Sequence, residues 1–309
     1  MEKLCEPISS HLEASILDVS GVKLLDKLKH ATLIQRHFLY LINSGYLKNE
    51  DAISGLIYAW QERGKSTVVL SIKHEGLLIE DDITSYGLSR RLTKLFNENK
   101  LKQYHHLLIP DLEKVSSRSR PVKNELRSTL QTLMWDGIQT VDTYNIHLDF
   151  PYRLKMGVIA CVTPDVFAGR SAFRRLGFLS RLIPFSFDYD DNTIDEILKF
   201  IGTLDEDKLR LQIIKIFRKK KIQIIISQHY LDLLEEKSRT LARIIDDFCT
   251  FFKDDANESR LIGSRAKRLL TCYLKSICLT NNRTIVNNDD WREFELMFRY
   301  FNFDMKELP

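Results

Sequence analysis

The chain runs to 309 residues, 44% hydrophobic and 28% charged, with 46 Lys+Arg against 42 Asp+Glu for a formal net charge of +4. Disordered chains carry fewer apolar residues and a larger net charge, and 12 Gly with 7 Pro fit neither a collagenous nor a low-complexity sequence, so a buried core is expected. A single core stops growing at roughly 250 to 300 residues, so this length points to two domains, or to one large domain with a smaller one appended.

The mild basic surplus, with a pI of about 8.6, permits contact with a polyanion without requiring it. The N-terminal MEKLCEPISSHLEASILDV has no basic stretch followed by an apolar core and a small-residue cleavage site. No run approaches the roughly 18 apolar residues that a membrane span needs. The expectation is a cytoplasmic protein with no membrane partner. Cys5, Cys161, Cys249, Cys272 and Cys278 are widely spaced, with no CxxC pair and no zinc spacing, and read as reduced, buried thiols.

From Val22 to Leu47 apolar residues recur every three or four positions, the period of a helical pair or one long helix, which Gly45 and Asn49 punctuate. The texture then changes to short continuous apolar runs at Ile53–Ala59, Gly76–Ile79, His106–Ile109 and Met156–Val162, the pattern of strands buried on both faces of a parallel sheet. Helical periodicity fills the gaps at Gly64–Ile72, Leu88–Phe96 and Asn124–Met134, and Ile138–Phe150 alternates as a β-hairpin does. After Asp188–Asn192 the strand texture stops, and charged residues with apolar spacing of three and four predict helices to the end. The chain is therefore divided into an N-terminal helical segment (1–50), an α/β domain (51–190) and an all-helical domain (191–309). It contains no internal repeat.

The most informative stretch is Ile53–Leu70, ISGLIYAWQERGKSTVVL: an apolar strand, a turn, then Gly64-Lys65-Ser66-Thr67 opening a helix. That order suits a phosphate cradle. Backbone N–H groups and the helix N-terminus face the anion, Lys65 reaches the outer phosphates, and the Ser66 hydroxyl can hold Mg²⁺. The full consensus has Gly where this chain has Ala59, so the motif is degenerate. A surface lysine at an ordinary helix start is the competing account, which the strand before and the helix after make weaker. A carboxylate at the end of a neighbouring strand is also needed for the metal. Glu80-Asp81-Asp82 reads better as a solvated turn with Asp82 or Thr84 capping a helix. Asp111, 46 residues beyond Lys65, is the residue assigned to Mg²⁺.

Four segments in order, Ala59–Ser66, Ile109-Pro110-Asp111-Leu112-Glu113, Val158–Pro164 and Gly177–Pro184, resemble the core of an AAA+ P-loop ATPase. Gly263–Leu270 is similar to the start of a helix in the AAA+ lid, and the Ile138–Asp149 hairpin is similar to the pre-sensor-1 hairpin of the minichromosome maintenance-like branch. The resemblance covers about Leu24 to Phe294. It implies a P-loop sheet sandwiched by helices and followed by a helical lid, with ATP and Mg²⁺ bound by Ala59, Gly64, Lys65, Ser66 and Thr67. In the same terms Glu113 activates water, Thr163 is sensor 1, Arg181 is an arginine finger from a neighbouring subunit, and Arg265 is sensor 2, coupling the lid. A ring or other homo-oligomer is implied, with DNA or another protein as the remodelled partner.

The chain departs from that pattern at two places. The acidic pair is Asp111-Leu112-Glu113, not Asp-Glu, and on a strand Glu113 would point to the same side as Asp111. Ala59 adds a methyl where the loop turns. ATP binding is thus better supported than fast hydrolysis, and a non-hydrolysing nucleotide-binding scaffold stands as the alternative, with a helical DNA-binding adaptor in the C-terminal residues as a third reading. Arg170, Arg174 and Arg175 read as the basic face of an amphipathic helix. The basic runs Ser116–Arg120 and Arg218–Lys221 read as solvated faces that can touch a phosphate backbone. His74, His105, His106, His147 and His229 form no catalytic constellation.

Overall fold

Continuous apolar runs become interior strands wherever helices cover both faces of a sheet. The computed structural model describes residues 29–71, 74–143, 146–168, 171–195, 221–250 and 263–305. Helix α1 (Lys29–Ser44) leads into β1 (Ser54–Tyr58), α2 (Lys65–Ser71), β2 (Leu77–Ile79), α3 (Ser85–Asn97) and β3 (His106–Ile109). The expected helical stretch from Val22 is thus described only from Lys29. The short α4 (Glu113–Ser116) and α5 (Arg120–Gln131) follow, and a π-helical turn at Thr132–Asp136 ends α5 against Gly137, whose φ is 81°.

Strands β4 (Ile138–Thr143) and β5 (Ile146–Leu154) pair antiparallel as a separate two-stranded sheet, the expected hairpin, with its tip outside the described residues. Next come β6 (Gly157–Val162), the short α6 (Leu176–Leu179) and β7 (Leu182–Ser186). The last described helices are α7 (Gln228–Thr250), α8 (Ser264–Thr280) and α9 (Asn288–Phe298).

The main sheet has the order β2-β3-β6-β1-β7, and every pairing in it is parallel. The connection from β1 to β2 runs one way across the sheet and those from β2 to β3, β3 to β6 and β6 to β7 run the other. Right-handed crossovers therefore put α2 on one face and α3 and α5 on the opposite one. Contacts agree: α2 packs on α1, whereas α3 packs on α5 and β5. The molecule is thus α/β, a five-stranded parallel sheet flanked by helices.

One strand is absent from the sequence reading and one expectation needs correction. Leu182–Ser186 forms the edge strand β7, with Pro184 inside it. Ser186 N donates outward to Tyr300 O while Phe187 N donates inward to Tyr58 O, so Pro184, in step with Ser186, lacks an N–H only on the side away from the ladder. Strand-like structure also continues past residue 192: Ile222 bridges Leu47 and Ile225 bridges Ile285, both in parallel. The run Ile222-Gln223-Ile224-Ile225-Ile226 is β-branched at four of five positions, which favours extended backbone.

The hydrophobic core extends without a break from α1 through the sheet to α7, α8 and α9. At its centre His37, fully buried, hydrogen-bonds through Nδ1 to Tyr273 Oη at 2.8 Å and stacks on Phe185, ring centres 4.5 Å apart. This ties α1, α8 and β7 together. Burial holds His37 in the neutral form, its pKa lowered to about 3. Cys161, Cys249, Cys272 and Cys278 are buried free thiols, as expected; Cys5 lies outside the described residues.

Candidate functional site

Ligands of open α/β sheets sit outside the carboxyl ends of the strands, and most of the candidate residues gather at that edge. Beyond β1 the loop passes through Glu62 and Gly64 with φ of 60° and 69°. Both are left-handed, a conformation free to glycine and costly for glutamate. Ala59 is fully buried, its φ is negative, and its N–H continues the ladder to Val162 O at 3.3 Å. The methyl at position 59 therefore strains nothing; the tight turn falls three to five residues later.

Gly64 leads directly into α2, and Lys65 is its first residue. Lys65, only 8% exposed, folds back so that its Nζ donates to Ala59 O at 2.7 Å and also to Trp60 O. Burial lowers its pKa, while Cys161, Glu113 and Asp111 act in the opposite sense and Arg63 adds to the lowering. Burial likewise pushes the Cys161 thiol, on β6, up to about 12, which keeps it an inert neighbour of Lys65. Ser66 Oγ donates to Pro110 O at 2.8 Å, tying the start of α2 to the exit of β3. The backbone of Thr67 lies in α2; its side chain is outside the described residues.

The carboxylates sit on the exit of β3. Asp111 is half-buried, and its Oδ1 accepts from Glu113 N at 3.0 Å, so Asp111 caps the turn that opens α4. Leu112 N donates to Cys161 O at 3.0 Å and anchors that turn to β6. Glu113 is consequently the first residue of a helix, not of a strand, and the alternation argument that put it on the same side as Asp111 does not govern it. Its carboxylate accepts from Gln61 Nε2, at 3.2 Å to Oε1 and 3.4 Å to Oε2. Between these two strands, at the exit of β6, Thr163 is 5% exposed and its Oγ1 is buried without a hydrogen-bond partner. A buried hydroxyl left unpaired is rare in folded proteins. The loop is tied at a further point, Arg63 Nε to Asp188 Oδ1 at 2.7 Å, beyond the exit of β7.

The two arginines stand at the other edge. Ser54 is in register with Leu182, so Arg181 is level with Ile53. Ala59 lies six residues further along the same direction, about 20 Å away at about 3.3 Å per residue. Arg181 Nη1 donates to Gly177 O, and its Nε is buried without a partner. Arg265 Nη1 donates to Ser180 Oγ at 3.2 Å and its guanidinium lies 5.4 Å from the centre of the Trp135 ring. Burial lowers the Arg181 pKa, and the positive charge of Arg265 lowers it further against the opposing pull of Asp136. The structure thus brings Arg181 and Arg265 together and brings neither to Lys65. Arg265 does not reach the β1–α2 loop of its own chain.

Other sequence readings resolve as follows. Arg174 and Arg175 precede α6, which is one turn long, so no amphipathic helix carries them. Arg174 instead donates through Nε to Phe248 O at 2.8 Å and covers the Phe248 ring at 4.0 Å; Arg170 is outside the described residues. Thr84 caps α3, accepting from Gly87 N at 2.9 Å, and Glu80 and Asp82 pair with Arg91 and Arg118, which makes that acidic run a structural turn. In the basic runs, Arg118 pairs with Asp82, and residues 218–220 are outside the described residues.

His74, His105 and His106 are not scattered but packed together, with His105 Nδ1 2.6 Å from His106 Nδ1. His106 Nε2 donates to Ile53 O at 3.0 Å, so its Nδ1 accepts and His105 donates. Among the described residues no group of three or more His, Cys, Asp or Glu is arranged to hold a metal ion by itself, and no helix is long and apolar enough to cross a membrane. Gln61 and Trp135 escaped sequence reading because one lies in the β1–α2 loop and the other in a π turn, and neither carries a periodic signal. Compared with known proteins, the chain matches no family model and no curated protein.

Proposed function

We propose that this chain is an ATPase of the AAA+ kind, which binds ATP with Mg²⁺ in the loop between β1 and α2 and uses its turnover to remodel a macromolecular partner. The observation that carries the reading is convergence. Lys65, Ser66, Asp111, Glu113 and the unpartnered hydroxyl of Thr163 meet at the exits of three adjacent strands, β1, β6 and β3, which end at residues 58, 162 and 109 of the sequence.

In this reading Lys65 exchanges its two loop carbonyls for the outer phosphates, and Thr163 donates its hydroxyl to the γ-phosphate. Glu113 takes a proton from water as the water oxygen bonds to the γ-phosphorus. The bond to the bridging oxygen breaks, its electron pair leaves on ADP, and inorganic phosphate is released. Ser66 and Asp111 fit a Mg²⁺ site: the Ser66 hydroxyl bonds the carbonyl of Pro110, immediately before Asp111, and a Mg²⁺ held largely by phosphate and water needs only one or two protein oxygens. When bound, the metal neutralises charge on the phosphate oxygens.

Arg181 and Arg265 act on a neighbouring subunit's nucleotide. A position about 20 Å from the loop along β1 leaves them no route to the phosphates of their own chain. Their mutual repulsion and the unpaired Nε of Arg181 suit an anion brought by another copy. The chain therefore works as a ring or other homo-oligomer, with α7, α8 and α9 as its helical lid. DNA is the partner we favour, on the separate β4–β5 hairpin. A second reading, a nucleotide-gated scaffold without turnover, is favoured by the engagement of Lys65 with its own loop.

The test is ATP binding and phosphate release by the purified protein, with and without DNA, for wild type, Lys65→Ala and Arg181→Ala. Both variants lose turnover, and a mixture of the two regains part of it, because Lys65 of one copy meets Arg181 of the other. Unchanged nucleotide affinity in Lys65→Ala sinks the assignment. Failure of the mixture to recover removes the intersubunit role, and tight Lys65-dependent binding without turnover selects the scaffold.

A further inference from the structure

A cavity of about 720 Å³ lies at the amino edge of the main sheet, walled by residues that immediately precede β1, β2, β3 and β6. That volume suits one small organic molecule. Tyr46, Tyr104, His105 and Tyr152 give it an aromatic wall. Two of these residues hold polar atoms that the protein leaves unused: His105 Nε2 and Tyr152 Oη are buried and have no hydrogen-bond partner. Buried polar atoms are almost always paired, so two orphans on residues of one cavity wall call for an occupant. His105 Nδ1 donates to His106 Nδ1, which leaves Nε2 with a bare lone pair. Burial, with the charges of His106, His74 and Lys221 adding to it, lowers the His105 pKa to about 2 and keeps that lone pair unprotonated. The wall thus supplies one acceptor, His105 Nε2, and one hydroxyl able to donate, Tyr152 Oη.

The charged residues of the wall fall into two groups. Asp51 pairs with Lys155 at 3.0 Å and Arg268 at 2.6 Å, and Glu50 pairs with Lys275 at 2.6 Å, so both acids are committed. Lys102, Arg153 and Lys221 are exposed and form no ion pair among the described residues, and Glu75 is the single acid left to set against them. The surplus is positive. We infer that this cavity binds a nucleoside monophosphate, with Lys102, Arg153 and Lys221 on the phosphate and His105 Nε2 and Tyr152 Oη on the edge of the base. Every nucleobase carries an N–H beside a carbonyl or ring nitrogen, which answers one acceptor and one donor, and its flat ring suits walls of tyrosine and imidazole. A phosphate answers the cations. Inorganic phosphate leaves the aromatic wall and both orphans unmet, and a neutral ring leaves the charge unmet. The inference does not rest on the ATPase reading, because Lys65 stands at the opposite edge of the sheet.

The experiment is calorimetric titration of the full chain with AMP, GMP, CMP and UMP, and with ribose 5-phosphate, inorganic phosphate and a short oligothymidylate as comparisons. The proteins are wild type, Lys65→Ala, Tyr152→Phe and the double variant Lys102→Gln/Lys221→Gln. The expected result is that at least one of the four nucleotides binds wild type and Lys65→Ala alike, at least about ten-fold more tightly than ribose 5-phosphate or inorganic phosphate. Tyr152→Phe weakens that binding about five-fold, the equivalent of one neutral hydrogen bond, and does not lower Tm, because it removes an unpaired hydroxyl and keeps the ring. The double lysine variant weakens it about ten-fold and flattens its dependence on salt. Ribose 5-phosphate bound as tightly as the nucleotides overturns the inference, since the base is then not read. Full affinity in both Tyr152→Phe and the double lysine variant overturns it, as does the absence of nucleotide binding. Binding lost in Lys65→Ala overturns it while leaving the ATPase reading intact, because the nucleotide then sits in the β1–α2 loop. Oligothymidylate bound where no monophosphate binds overturns it in favour of a nucleic-acid strand.

Discussion

The two edges of the one parallel sheet are built on opposite plans. At the carboxyl edge the polar groups sit on short loops and bond to one another: Lys65 to its own loop, Ser66 to Pro110, Glu113 to Gln61. At the amino edge polar groups are packed into the structure. His105 and His106 lie against Gly45, Gly76 and Gly157, where a Cβ would come within 2.1 to 2.4 Å of an imidazole atom. Asp51 ties Lys155 and Arg268, and Glu50 ties Lys275, which fastens α8 along that edge. Changes among the packed histidines and ion pairs of the amino edge are therefore expected to cost stability, whereas under the proposed function changes at the carboxyl edge, like Arg181→Ala at the other, are expected to cost nucleotide binding or turnover.

The largest effect that sharpens this contrast is acid destabilisation. Burial holds His37, His105 and His106 neutral in the folded state, with pKa values lowered below 6.5, the two adjacent histidines further by each other or by His74. The unfolded chain takes up protons below pH 6.5 and the folded chain does not. Stability is thus fully present above pH 6.5 and falls as pH drops, by about 1.4 kcal/mol per pH unit for each histidine and about 4 kcal/mol for the three. Urea unfolding at pH 7 and pH 5.5 checks this, and a flat profile would mean the histidines are solvated.

Next comes Gly157→Ala. The added methyl meets His106 Nε2 at 2.5 Å and the backbone Ile53 O at 2.6 Å, and a backbone atom in a central strand has nowhere to go. The expected loss is about 3 kcal/mol in chemical denaturation. Lys65→Ala reverses the pattern, losing at least about a hundred-fold in nucleotide affinity. Its thermal unfolding changes by less than about 1 kcal/mol, since removing the ammonium also removes its desolvation cost. A large loss of stability in Lys65→Ala with nucleotide binding retained would break the comparison. The smallest effect is Glu62→Gly: relief of the left-handed φ of 60° exceeds the extra chain entropy by about 0.5 kcal/mol, visible as a slightly higher Tm.

Much of this was legible in the chain. The runs at Ile53, His106 and Met156 became β1, β3 and β6, interior strands buried along their whole length, and the run at Gly76 became the edge strand β2, buried at Leu77 and Leu78 with Ile79 exposed. The strand β7 was hidden by Pro184, whose missing N–H matters only for its outer side, a fact that depends on which strand stands at the edge. The helical start of Glu113 was hidden by proximity to β3. Two residues past Ile109, Asp111 Oδ1 accepts from Glu113 N, and the turn it makes opens a new helix with the Glu113 carboxylate toward Gln61.

The sequence by itself determined the alternation of strand and helix, the strand–turn–helix order around Gly64-Lys65-Ser66, and the hairpin, because periodicity and glycine placement are local properties of the backbone. Only the tertiary structure decided that Thr163 stands between Lys65 and Asp111 and that Arg181 and Arg265 share the opposite edge. It alone packed His74 against the adjacent pair His105 and His106. Strand order and register place residues more than a hundred positions apart side by side, and no local preference of the chain encodes that choice.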